Sequence, residues 1–253
     1  MRLVPLYSGS KGNSTYIEHQ DTRILVDAGV STKKITEALK NIDIDIATVD
    51  AILVTHEHSD HIKSIAMISN KFDIPVFSTN RTWEAMELKV KEENRRELIK
   101  NQKFFIKDIE IKAFNIPHDA ADPVAFSFFA DDKKMTVATD IGHITKDVLE
   151  NLENNEVLLI ESNYDESMLR AGKYPFFLKE RILGNFGHLS NNTSAKLIEY
   201  LAKQGTKNFI LGHLSEENNF PELAKENVIS RLKQTGIYNQ ELSIEIAGVT
   251  KVY

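Results

Sequence analysis

Cysteine is missing from all 253 residues. That excludes disulfides and thiolate metal sites, so any bound metal must be held by imidazole and carboxylate. Such ligands suit zinc, manganese, iron, cobalt or nickel. Also missing is any run near the roughly 18 apolar residues of a membrane-spanning helix. The opening MRLVPLYSGSKGN lacks the apolar centre of a signal peptide. The expectation is a cytoplasmic protein with no membrane partner. No repeat, low-complexity segment or Gly/Pro-rich linker interrupts the chain, so a single domain over 1–253 is expected.

A positive net charge is missing too. Lys and Arg number 31 against 37 acids, leaving −6. That argues against a basic face over the whole molecule, but not against a local basic patch. Residues 168–181, MLRAGKYPFFLKER, carry Arg170, Lys173, Lys179 and Arg181 against the single acid Glu180, with Tyr174, Phe176 and Phe177 among them. This mixture suits a phosphate backbone or an unstacked base. As sequence it reads first as a surface loop anchored by its aromatics.

What is present is concentrated. Three of the 8 histidines fall in THEHSDH, residues 55–61. His56 and His58 are two apart, so in an extended segment both imidazoles face one way. Asp60 and His61 follow at the start of an expected helix. Four such donors crowd one tetrahedral ion, and two ions sharing the cluster fit better. Glu57 and Ser59 alternate away, toward solvent or a supporting role.

Buried-strand runs recur, and several lead to a histidine or an acid. Residues 24–26 lead to Asp27, 51–55 to His56, 135–139 to Asp140, 157–160 to Glu161 and 208–212 to His213. A polar side chain at a strand's carboxyl end faces a ligand from a rigid backbone. His118, in Ile-Pro-His-Asp after a strand-like 109–114, is a further candidate partner. His19 lies in a polar stretch and reads as part of a solvated turn.

Helices alternate with these strands, giving a layered α/β arrangement. The spacing predicts helices over 31–39 with a Ser31 cap, 61–71, 83–100 as a solvated helix, and 193–204 with Gly205 after it. Strands are expected over 104–114 and 124–130, and a closing strand pair within 240–253.

Taken in order, His56-x-His58-x-Asp60-His61, His118, Asp140 and His213 resemble the ligand motifs of the metallo-β-lactamase fold superfamily. The resemblance runs from Asp27 to His213. It implies a mixed α/β fold, a four-layer αββα sandwich. It implies two divalent ions, zinc or manganese: one held by His56, His58 and His118, the other by Asp60, His61 and His213, with Asp140 bridging. Asp27 would orient a ligand histidine. Members of the superfamily differ in reaction, so the fold does not settle the substrate.

Three stretches bear on substrate. Ser8-Gly9-Ser10-Lys11-Gly12-Asn13 is a Gly/Ser loop whose amides and hydroxyls suit a phosphate, which makes Ser8, Ser10 and Asn13 candidate substrate contacts. The same composition also makes plain hairpin turns. Glu161-Ser162-Asn163-Tyr164 and Gly187-His188-Leu189-Ser190 resemble paired motifs of tRNA 3′-processing nucleases. That resemblance implies His188 as proton donor at the scissile phosphate, held by Glu161. His143, close to Asp140, reads equally as a supporting residue or a substrate contact. SGSKGNST, LVDAG, THEHSDH, PHDAADP and GHLSNNTSA together resemble the YycJ/WalJ family, associated with 5′-to-3′ exonuclease action on double-stranded DNA. The chain lacks the long arm with which tRNA-processing relatives grip tRNA. The expected activity is therefore metal-dependent phosphodiester hydrolysis at nucleic-acid ends, with Asp60, His188 and Glu161 as the residues of catalysis. Two other readings fit the metal ligands alone: a lactamase- or thioesterase-like hydrolase of small molecules, and a metal-binding regulatory protein without activity.

Overall fold

The computed structural model describes residues 1–248. The chain folds as two compact units. The first comprises 1–115 and 120–132, the second 116–119 and 133–247.

In the first unit, β1 (Arg2–Tyr7), β2 (Ser14–His19) and β3 (Thr22–Val26) form an antiparallel meander. Helix α1 (Thr32–Lys40) carries the chain to β4 (Ala51–Leu53), which lies parallel to β3. Ser31 caps α1, its hydroxyl accepting from Lys34 N, and Ile35 and Leu39 are buried. After α2 (Ser59–Ile62) and α3 (Ile65–Phe72), β5 (Val76–Ser78) continues the parallel sheet. Helix α4 (Asn80–Ala85) then leads to β6 (Arg95–Glu97), and the order is β1-β2-β3-β4-β5-β6. Strands β7 (Lys103–Ile106), β8 (Ile109–Asn115) and β9 (Val124–Ala130) pair antiparallel in sequence. Tyr16, Leu25, Ile35, Leu39, Ile52 and Ile65 belong to one buried cluster. Burying side chains of this size contributes roughly 1.5–3 kcal/mol each.

The second unit is built on parallel strands, β10 (Lys133–Ala138), β11 (Val157–Glu161), β12 (Asn208–Gly212) and, at the end, β13 (Ser243–Ile246). Helix α5 (Lys146–Leu152) joins β10 to β11. Helices α6 (Glu166–Ala171), α7 (Phe176–Leu183) and α8 (Asn191–Lys203) lie between β11 and β12, and α9 (Pro221–Gln234) precedes β13. Parallel strands covered by crossovers need apolar side chains on both faces, and all five residues of VLLIE in β11 are buried.

Four sequence expectations change. The helix expected over 61–71 is two helices. Ser64 breaks it, with its N–H on Ala28 O at 2.8 Å and its hydroxyl on Val30 O at 2.5 Å. The solvated helix expected over 83–100 ends at Ala85. Met86, Val90 and Leu98 are buried, and Trp83 Nε1 donates to Arg96 O at 3.0 Å. An extended path that buries these apolar residues and adds β6 to the sheet displaces the helix. His19 is not in a solvated turn: it is the last residue of β2, only 8% exposed, with Nε2 3.3 Å from Asp131 Oδ2. The single strand expected over 104–114 is a hairpin turning at Lys107, whose φ is 46°. Of the expected closing strand pair, β13 is present, and 249–253 lie outside the described residues. Among the described residues no helix is long and apolar enough to cross a membrane.

One glycine sets how closely the THEHSDH segment packs on the end of β3. A Cβ on Gly29 would lie 1.6 Å from Asp60 O. Gly29→Ala is expected to cost at least about 3 kcal/mol, since an added methyl against fixed backbone overpacks the site. Urea denaturation reads this directly, and an unchanged midpoint would contradict the packing.

Candidate metal centre

In the first unit, the end of β3 and the segment after β4 form one hydrogen-bonded assembly. Asp27 N donates to Leu53 O at 2.8 Å, which places the Asp27 side chain against the start of THEHSDH. Its Oδ1 accepts from Thr55 N at 2.9 Å. Its Oδ2 accepts from Thr55 Oγ1 at 2.8 Å and lies 2.8 Å from His61 Nδ1. A carboxylate only accepts, so His61 carries its proton on Nδ1 and its lone pair on Nε2. The Thr55 hydroxyl spends its proton on Asp27. It must therefore accept from His56 Nδ1 at 2.9 Å, which likewise leaves the His56 lone pair on Nε2.

The donor atoms so fixed converge. His56 Nε2 and His58 Nδ1 are 3.1 Å apart. Two nitrogens about 2.0–2.1 Å from a tetrahedral ion stand about 3.4 Å apart, so this spacing fits shared coordination. It equally fits one shared proton. Asp60 Oδ2 and His61 Nε2 meet at a single donor, the Asn13 amide nitrogen, at 3.4 and 3.0 Å. Two acceptor atoms aimed at one electropositive point are what a cation requires. Asn13 is buried, and its carbonyl oxygen accepts from Gly9 N at 3.0 Å. It sits inside the cluster as a brace for the β1–β2 loop. Ser10 is exposed and, with Lys11, Glu57, Asp60 and Lys63, lines a cleft of about 480 Å³. Ser8 is half-buried in the same loop. Glu57 Oε1 accepts from Ala121 N at 2.7 Å.

In the second unit the centre is Glu161, the last residue of β11 and fully buried. Its Oε1 lies 2.7 Å from His188 Nδ1 and 3.0 Å from His213 Nδ1. Its Oε2 accepts from Ile141 N at 2.9 Å and Leu189 N at 3.1 Å. Burial by itself would raise the Glu161 pKa. The His188 charge and the hydrogen bonds from His188 and His213 outweigh it and hold the carboxyl well below the ordinary range. The bond to Glu161 puts the His213 proton on Nδ1 and its lone pair on Nε2. His118 follows the same rule through a different acceptor, with Nδ1 3.1 Å from Gly187 O. Burial pushes the His118 pKa down, against a smaller opposing pull from Asp140, which favours the neutral imidazole a metal needs. Asp140 Oδ1 is 3.4 Å from His213 Nε2 and 3.7 Å from His118 Nε2. Donor atoms of Asp140, Glu161, His188 and His213 all lie within 4.8 Å of one another. Imidazole and carboxylate donors in this arrangement fit a divalent cation. His143 stands apart, half-buried, with Nδ1 2.8 Å from Asn185 O.

Three of these residues hold a backbone conformation that side chains avoid. Among the described residues, eleven non-glycine residues have positive φ, and eight of them are exposed. The three buried ones are Asp27 (61°), Asp140 (61°) and His213 (54°), each just past a strand end. Left-handed residues cost of order 1–3 kcal/mol each and persist where the surroundings over-determine them.

Sequence reasoning missed two supports. Thr55 was read only as the end of a strand, yet it links Asp27 to His56. Asn163 holds His213, its amide donating to His213 O at 2.7 Å. A threonine closing an apolar run, just before the histidines, was the available signal. Thr55→Val keeps the shape and removes the link. The expected result is a metal affinity lower by about 10–100-fold in a competition titration against a chromophoric chelator. Unchanged affinity would contradict the role of Thr55.

Comparison with known proteins gives the family and the fold. A Beta-lactamase superfamily domain matches residues 22–214. Exodeoxyribonuclease WalJ of Streptococcus pneumoniae is 40% identical over 92% of this chain and 88% of its own length. Exodeoxyribonuclease YycJ of Bacillus anthracis is 36% identical over 91% of this chain and 89% of its own. Among solved structures, the metallo-β-lactamase fold protein YhfI of Bacillus subtilis superposes with a TM-score of 0.77, covering 100% of this chain and 98% of its own at 13% identity. The fold is the metallo-β-lactamase fold.

Proposed function

Since the chain belongs to the Beta-lactamase superfamily, in the family of WalJ and YycJ, we propose that it is a metal-dependent exodeoxyribonuclease working 5′ to 3′ on double-stranded DNA ends. The observation that carries the reading is the 2.7 Å contact between buried Glu161 and His188. A lactamase-like hydrolase needs the metal ligands but has no use for this pair. A phosphodiesterase must protonate or stabilise a departing oxygen, and an imidazole backed by a carboxylate does that.

In this reading one ion belongs to His56, His58 and His118. A second belongs to Asp60, His61 and His213, and Asp140 is shared. The ions are zinc or manganese, both served by these ligands. When bound they activate water and offset charge on the phosphate. The chain's residues do the rest. Asp60 or Asp140 helps hold the attacking water. His188 gives its proton to the leaving oxygen, and Glu161 stabilises the imidazolium before that transfer. Ser8 and Ser10 hold a phosphate near the cleft beside Asp60. The protein works in the cytoplasm, where DNA ends arise.

The test is digestion of 5′- and 3′-labelled single- and double-stranded DNA beside matched RNA, with added manganese or zinc. The expected result is metal-dependent release of label from the 5′ end of duplex DNA, abolished by chelation. His188→Ala should lose roughly 10²–10⁴-fold of that rate, the range of general acid catalysis. Asp60→Ala should lose turnover with the fold retained. Hydrolysis of lactams or thioesters without nucleic-acid cleavage would replace this reading with the small-molecule one. Metal binding with no hydrolysis would leave a regulatory protein.

A further inference from the structure

Helix α7 does not behave as its sequence suggests. Its aromatics anchor nothing: no residue of α7 is buried, and Phe176 and Phe177 are 76% and 74% exposed. Phe186, just past the helix, is 59% exposed. Rings this open are uncommon unless something covers them. In sequence they are interleaved with Arg170, Lys173, Lys179 and Arg181 against Glu180, on a chain whose net charge is −6.

The segment is also fixed to the residues of the candidate site. Arg181 forms a two-pronged ion pair with Asp119, its Nη2 donating to Oδ1 at 3.1 Å and its Nε to Oδ2. Asp119 N donates to Phe186 O at 3.1 Å, and His188 N to Ile182 O at 3.1 Å. Lys179 Nζ donates to Arg170 O at 2.7 Å, which ties α7 to α6. The His143 ring stands edge-on to Phe186, with centroids 6.4 Å apart. These bonds tie α7 and Phe186 to the segments that carry Asp119 and His188. The eight residues of α7 span about 12 Å, the length of three to four stacked nucleotides at about 3.4 Å each.

We propose that α7, with Phe186 and His143, is a stacking platform for unpaired nucleotides at the end of the substrate. This rests on the nuclease reading above and adds to it the form of the DNA end. Phe186 and His143 would face the base nearest the scissile phosphate, while Phe176 and Phe177 take unstacked bases farther out. Arg170 and Lys173 meet their phosphates. Aromatic faces accept any base, so the platform reads strandedness and not sequence. The interleaved cations choose a polyanion over an apolar peptide. The platform favours frayed or single-stranded ends over blunt ones.

The test measures binding by fluorescence anisotropy in a His188→Ala background, which keeps the DNA intact. The probes are a blunt duplex and the same duplex carrying a single-stranded end of about four nucleotides. The parent protein should bind the tailed duplex more tightly. Phe176→Ala/Phe177→Ala should lose roughly 10-fold or more on the tailed duplex, and little on the blunt one. Phe176→Tyr/Phe177→Tyr should keep the preference, which separates loss of stacking from misfolding. Phe105→Ala, equally exposed on β7, should change neither. Equal affinity of the Ala pair and its parent for both duplexes overturns the platform. So does a loss seen only as altered self-association in sedimentation, or a parallel loss of hydrolysis of a small phosphodiester when the Ala pair is put into wild-type protein. If wild-type protein degrades DNA normally with the Ala pair in place, only this inference fails. If wild-type protein without the Ala pair neither binds nor cleaves nucleic acid, the nuclease reading fails with it.

Discussion

Burying a carboxylate is costly unless its oxygens are met by donors, and the cluster of candidate ligands in each unit rests on meeting that condition. In the first unit Asp27 takes two bonds from Thr55 and one from His61. In the second unit Glu161 takes two backbone N–H groups on one oxygen and two histidines on the other. Each carboxylate thereby does two jobs. It satisfies itself where solvent is excluded, and it fixes which ring nitrogen of its histidines carries the proton. The free lone pairs on His56, His61 and His213, which a metal would use, are set by these supports and not by the histidines themselves. The oxygen that backs His188 also backs His213, so the proposed proton donor and a proposed metal ligand are positioned by one atom.

The same strand ends supply the backbone strain. Asp27, Asp140 and His213 turn left-handed directly after buried apolar strands. A strand running on would carry these side chains along the sheet. The left-handed turn instead stops the strand and swings the chain aside, so the residue projects from the sheet end. Hydrogen bonds such as Ala28 N to His61 O and Gly142 N to Pro117 O hold the chain after the turn. Rigidity at the site is obtained from the sheet.

Much of this was legible in sequence because it follows from local pattern. Five apolar runs, each leading to His, Asp or Glu, located β3, β4, β10, β11 and β12, and Ser31 marked the start of α1. Other features depended on contacts far along the chain. The 83–100 segment has helical composition, but Met86, Val90 and Leu98 are buried by an extended path that no local propensity encodes. The break at Ser64 follows from bonds to Ala28 and Val30, more than thirty positions away. Thr55 was invisible as a support because a hydroxyl at a strand end has many uses until its partners are known. The α7 aromatics were misread for the opposite reason. Phe normally means burial, and sequence does not reveal a phenylalanine left outside.

The account turns on whether the donors of the two units together hold two ions. Native mass spectrometry of the chelator-stripped protein, after titration with zinc or manganese, measures that directly. Two ions per chain are predicted for the wild type, falling to one or none for Asp140→Ala, which removes the carboxylate assigned to both. A single ion in the wild type, or two ions that survive Asp140→Ala at undiminished affinity, would contradict the shared centre.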